Sequence, residues 1–177
     1  MLLRTLLILF VFSMPAITRA ALTPEEIKAL PPAKVEAALP NEHPSSYYSY
    51  AARLYSEGKK DESILWFYIG QLRYRVYLKA TPPSDPSGDP ALFASLNATI
   101  GQTINEYAGG DPKAWAAQIA LALKWDADHP NGFTSKEKFK TVYDSIRTGL
   151  ERLGKQVESA ADQIREERKS RGLENRG

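Results

Sequence analysis

Between Pro44 and Lys79 two helical patterns meet at a short polar turn, and the second of them is apolar around nearly its whole circumference. Tyr47, Tyr50, Ala51 and Leu54 recur at helical spacing and so share one face of the first helix. Gly58-Lys59-Lys60-Asp61 breaks the pattern, with Gly58 suited to a left-handed helix end and Asp61 to the next N-cap. Ser63-Ile64-Leu65-Trp66-Phe67-Tyr68-Ile69-Gly70-Gln71-Leu72 then runs on through Val76-Tyr77-Leu78. A helix without a polar face cannot lie on a surface. The hairpin therefore predicts a central rod that other helices must enclose.

The flanking sequence supplies those helices. Thr23-Pro24-Glu25-Glu26 is a capping box with proline at the first helical position, and Pro31-Pro32 ends the short helix it starts. Ala33 to Leu39 can form another before the turn at Asn41-Glu42-His43-Pro44, after which Ser45 or Ser46 is placed to cap the hairpin. Thr81-Pro82-Pro83-Ser84-Asp85-Pro86-Ser87-Gly88 must be a loop. Asp89-Pro90 and Asp111-Pro112 each repeat the helix-start signal, with Gly109-Gly110 between them as a stop. Thr134-Ser135-Lys136-Glu137 reads as a second capping box, opening a long helix whose Tyr143, Ile146, Leu150, Leu153, Val157, Ala160 and Ile164 form a heptad-like seam. Beyond Ile164 the charged segment 165–177 lacks apolar partners and is expected to fray. The fold class is all-α: a single-domain bundle of about five substantial helices, with short N-terminal helices over 21–43 and the main helical domain over 44–164.

The first 20 residues have the pattern of an export signal: Arg4, an apolar run from Leu6 to Phe12, and Thr18-Arg19-Ala20 before the expected cleavage point. The apolar run is too short for a spanning helix, which needs about 20 residues, although an uncleaved anchor is the alternative. The expected location is periplasmic or secreted, with no membrane span left after cleavage. Of 23 basic and 21 acidic residues, only Arg4 and Arg19 fall in that segment, so the remainder is formally neutral. Neutrality argues against nucleic acid as a partner. With no cysteine and only two histidines, no cofactor or transition-metal site is expected.

The hairpin resembles a single tetratricopeptide or Sel-type repeat unit over about residues 45–75, through Tyr47, Ala51, Leu54, Gly58, Ser63, Phe67 and Gly70, with the Leu54-Tyr55-x-x-Gly58 string and Trp66 most similar to the Sel type. It departs from that pattern in lacking a closing proline after Gly70 and in meeting a proline loop where a second unit would begin. The resemblance implies stacked helical hairpins and a groove that takes proteins or peptides.

Arg73, Tyr74, Arg75, Tyr77 and Lys79 combine residue types that anchor protein interfaces, and with Asp85 in the adjoining loop they form the expected partner-binding surface. The competing reading has the tyrosines completing the core while the basic heads reach water. Asp126, Asp128, Asn131 and Glu137 approach a calcium-loop spacing, but Pro130 occupies a ligand position, so a polar turn is the simpler reading. His43 and His129 each precede proline in a turn with no nucleophile motif beside them, and Asn97-Ala98-Thr99 is a glycosylation triplet inside a predicted helix. The expected function is an exported module that acts by binding another protein, such as an immunity protein against a toxin or effector delivered to the envelope. Two alternatives stand beside it. One is a peptidoglycan-cleaving hydrolase using Glu106; the other is a scaffold that self-associates weakly through the C-terminal helix.

Overall fold

The computed structural model describes residues 22–177, so the export segment lies outside the described residues. Among the described residues all regular structure is helical, as expected: α1 (Pro24–Ala29), α2 (Pro32–Ala38), α3 (Ser45–Ser56), α4 (Lys60–Ala80), α5 (Asp89–Leu96), α6 (Gln102–Gly109), α7 (Pro112–Asp128), α8 (Lys140–Ser159) and α9 (Ala161–Ser170). None of these helices is long and apolar enough to cross a membrane.

α4 is the enclosed rod. It packs against α3, α6, α7 and α8, and Ile64, Phe67, Tyr68, Ile69 and Leu72 are all buried. The turn before it is a Schellman closure: Gly58 has φ of 82°, its N–H donates to Tyr55 O, and the N–H of Lys59 donates to Leu54 O. Asp61 is not the N-cap. Lys59 holds that place without a side-chain bond, and Asp61 sits in the first turn, where a carboxylate still favours the helix dipole. Further along, the two helices touch at Gly70: a Cβ built there would lie 2.6 Å from Tyr47 Cβ. Only glycine permits that approach.

The N-terminal helices form an ordered strap across α3. Thr23 and Glu26 exchange both capping-box bonds. Arg53 Nη1 donates to the carbonyls of Ile27 and Leu30 at 2.7 Å each, and the Tyr50 hydroxyl donates to Glu36 at 2.6 Å. α5 and α6 are joined by a π-helical turn, Asn97–Gly101, which brings Gly101 against the ring of Phe67. Asn97 is half-buried there; its Oδ1 accepts from Gln71 Nε2 at 3.1 Å and its Nδ2 donates to Phe93 O at 2.7 Å.

Three sequence expectations need correction. Thr134 does not start a helix: residues 136–139 make turns and α8 begins at Lys140. The long C-terminal helix is broken at Ala160, and Val157 and Ala161 are buried, so the end of the seam is spent inside the molecule. Segment 165–177 does not fray. Arg168 Nη1 donates to Glu106 O at 2.9 Å, the N–H of Arg176 donates to Gly110 O at 2.7 Å, and the Arg176 guanidinium stacks 3.3 Å from the Tyr107 ring centroid. The tail lacks apolar anchors but carries arginines, and the end of α6 offers them carbonyls and an aromatic face.

Candidate functional site

The expected anchor residues divide around the circumference of α4. Arg73 and Tyr74 are buried, Tyr77 is half-buried, and Arg75 and Lys79 are exposed. Arg73 and Tyr74 cannot serve as surface anchors. They lie one heptad after Trp66 and Phe67, both buried, and so continue the inward face.

Arg73 instead ends in a buried ionic cluster. Its Nε donates to Asp126 Oδ1 at 3.0 Å, its Nη1 to the Tyr47 hydroxyl at 2.6 Å, and its Nη2 to Pro130 O at 2.9 Å. Arg147 Nη1 reaches the other carboxylate oxygen of Asp126 at 3.0 Å, and Lys136 Nζ lies 3.6 Å from it. The same cations also cap the C-terminal end of α7: Arg147 donates to Leu123 O, and Lys136 donates to Asp126 O and His129 O. Burial, with help from the Arg73 and Arg147 charges, lowers the pKa of Lys136, against the opposing pull of Asp126. Burial pushes the Tyr143 hydroxyl up to about 12. Every cation here is committed to a carboxylate or to α7 carbonyls, so the cluster reads as a structural staple. The remaining members of the calcium-like spacing disperse: Asp128 pairs with Lys124, Asn131 holds Tyr143 and the backbone of Phe133 and Thr134, and Glu137 accepts from Ser135.

Tyr74 and Tyr77 meet at a second cluster. The Tyr74 hydroxyl lies 3.1 Å from Asp89 Oδ1, the Tyr77 hydroxyl 2.8 Å from Asp89 Oδ2, and His43 Nε2 3.1 Å from Asp89 Oδ1. Asp89 is thus not the N-cap of α5, a place held by Gly88; its carboxylate ties the end of the 81–88 loop to α4 and to the strap. On its other side His43 Nδ1 accepts from Ser45 N at 3.2 Å and lies 2.7 Å from Ser45 Oγ; neither Ser45 nor Ser46 caps α3, whose N-cap position is Pro44 without a side-chain bond. Serine, histidine and aspartate are connected in the order of a nucleophile relay. However, the neighbouring Ser46 and Tyr47 N–H groups are bonded to His43 O and Pro44 O, so neither is turned toward an oxyanion at Ser45.

The neutral imidazole fits this setting, because Nδ1 accepts while Nε2–H donates. Burial lowers the His43 pKa and the Asp89 charge only partly opposes it. The unfolded chain therefore binds a proton first as pH falls below about 6.5, and the stability due to neutral His43 is complete above that pH and lost below it. Denaturation curves between about pH 7.5 and 5.5 should show the native chain losing stability relative to His43→Gln; parallel losses would reject this linkage.

Arg75 and Lys79 face the other way. Arg75 with Gln71 and Leu72 forms one bank of a groove of about 280 Å³ whose opposite bank is Ser145, Ile146, Gly149, Leu150 and Leu153 of α8. Lys79 Nζ donates to Ser145 Oγ at 3.1 Å at the groove end, and the Arg75 guanidinium lies 5.7 Å from the Phe93 ring centroid. A Cβ added at Gly149 would meet nothing within 4 Å. Asp85 is exposed in the neighbouring loop, where its carboxylate accepts from the N–H and the hydroxyl of Ser87; these bonds lower its pKa. Glu106 is exposed on the far side, in an open groove shared with Glu167 and Arg168. The groove between α4 and α8 was not anticipated, although Ile146 and Leu153 on the seam, with glycine between them, were its signal.

No family model matches the chain, and no solved structure matches it. A Haemophilus influenzae protein described as uncharacterized is 34% identical over 90 residues, which is 49% of this chain and 34% of that protein. The matched region thus spans about a third of the relative's length.

Proposed function

We propose that the chain is an exported module that works by binding another protein through the groove between α4 and α8, in the manner of an immunity protein against an envelope-targeted toxin. The observation that carries this reading is the segregation along α4. Two exposed cationic side chains, Arg75 and Lys79, border a partly exposed apolar track, while the remaining aromatic and cationic residues of that stretch are turned into the core or tied to Asp89. Guanidinium and apolar groups side by side are the usual makings of an interface hot spot. The Gly70–Tyr47 contact supports the likeness of the α3–α4 hairpin to a helical-repeat unit, whose kind also presents a groove.

A photo-crosslinking residue placed in turn at positions 75, 79 and 149, and at position 124 on α7 for comparison, tests the reading in cells that naturally express the chain. Adducts of one discrete mass are expected from the three groove positions and not from 124. If the captured protein is a toxin, the purified chain should also suppress its activity. No adduct from any groove position, or the same adducts from 124, would overturn the proposal.

A further inference from the structure

Resting on that reading, we infer that the occupant of the α4–α8 groove is an acidic amphipathic helix of the partner protein. Both banks are helix interiors, whose backbone N–H and C=O groups are already bonded within α4 and α8. An extended segment laid between them would find no ladder, and its own backbone groups would be buried unpaired. A helix satisfies its backbone internally and needs only a ridge of side chains to enter the groove. The banks suit such a ridge: Gln71 and Arg75 rise one per turn along α4, with Lys79 one turn further on at the groove end, and Ile146, Leu150 and Leu153 one per turn along α8. Gly149, open above and without a side chain, lets the incoming helix come close at the middle of the track.

Charge chooses among helices. Among the described residues no carboxylate lines this groove; Arg75 is the charged group on its bank, and Lys79 stands at its end on Ser145. Arg75 is steadied by the Phe93 ring beneath it, and Lys79 needs to give up only a serine hydroxyl to meet a carboxylate. A helix with leucine or isoleucine at i, i+4 and i+7, flanked by Asp or Glu, matches both properties; a basic helix of the same apolar pattern is repelled.

The test uses two synthetic peptides of about 18 residues with the same leucine stripe, one carrying glutamate on its flanks and one lysine, each followed by fluorescence anisotropy against the purified protein. The glutamate peptide should bind, the lysine peptide should not, and binding should weaken as salt screens the charges. Gly149→Gln, whose Cβ has open space and which is expected to melt no lower than the native chain, should weaken binding about tenfold, as should Arg75→Glu combined with Lys79→Glu. Lys113→Glu, an exposed charge on α7, should leave it unchanged. Equal binding of the two peptides, no binding of the glutamate peptide, or undiminished binding to the stably folded Gly149→Gln variant would overturn the inference. If position 149 captures a protein in cells while the glutamate peptide fails, the binding module stands and the acidic helix falls; if both fail, both fall.

Discussion

Asp126→Ala is expected to lower stability by about 3–5 kcal/mol, the usual loss when one member of a buried ion pair is removed. Arg73 is 1% exposed and Asp126 is fully buried, so the variant would leave a guanidinium inside the molecule with no carboxylate beside it. Arg147 and Lys136 are about a quarter exposed and can turn toward water, but Arg73 cannot. Arg73→Met should cost less, about 1–3 kcal/mol, because Asp126 keeps the charges of Arg147 and Lys136 at Oδ2, although its Oδ1, the Tyr47 hydroxyl and the loop carbonyls each lose a donor. The double variant Arg73→Met with Asp126→Leu should recover part of the alanine loss, since apolar side chains of similar volume often replace a buried pair without penalty. With Asp126→Leu alone added, urea denaturation of the native chain, Asp126→Leu, Arg73→Met and the double variant yields the coupling. An Asp126→Ala midpoint indistinguishable from that of Lys124→Ala, an exposed surface change, would show that the pair does not brace the core.

This pair also marks the limit of what the sequence made legible. The enclosed α4 followed from its missing polar face, and the Thr23 and Asp111 caps and the Gly58 turn followed from local chemistry that no distant contact has to ratify. Arg73 was misplaced because arginine beside tyrosine looks like an interface, although its position one heptad after Trp66 put it on the inner face. Asp126 carried the complementary signal, recurring with Ile119, Ala122 and Leu123 on the inner face of α7. A charge on each of two inner faces points to a buried pair, and only the spatial adjacency of α4 and α7 was missing from the sequence.

At the start of α5 a tertiary competitor took the expected capping residue. Asp89 had the composition of an N-cap, but two tyrosine hydroxyls and an imidazole offered its carboxylate better partners than the backbone did. The Thr134 box gave way differently: the Thr134 hydroxyl is buried without a partner, Ser135 Oγ takes the Lys138 N–H in its place, and Lys136 turns back to the carbonyls ending α7. The docked tail was illegible for a related reason, since its arginines hold backbone carbonyls, and a carbonyl leaves no trace in residue identity. The groove residues Arg75 and Lys79 were named from composition. Their separation from Arg73 and Tyr74 needed only the helical period.

Trp66→Ala should cost about 3–5 kcal/mol, the range for deleting a large buried aromatic. The indole is 5% exposed and makes edge-on contacts with Tyr50 and Trp125 at centroid distances of 5.2 and 5.1 Å, and a tilted contact with Tyr47 at 6.2 Å. Those rings come from α3 and α7, so Trp66 is the point where α4 joins the hairpin to the rest of the bundle. Collapse into the vacated space is hindered, because Tyr47 is pinned by its bond to Leu39 O and by Arg73, and Trp125 is stacked on His129 at 4.1 Å. Limited relaxation puts the loss toward the upper part of that range, and Trp66→Phe, which keeps a ring in place, should lose less than half as much. The same reasoning separates this residue from the groove: Trp66→Ala should lower the denaturation midpoint, whereas Gly149→Gln should not, because one removes contacts from the interior and the other adds a side chain where nothing stands. A Trp66→Ala chain unfolding at the native midpoint would mean that α3 and α7 do not depend on the rod between them.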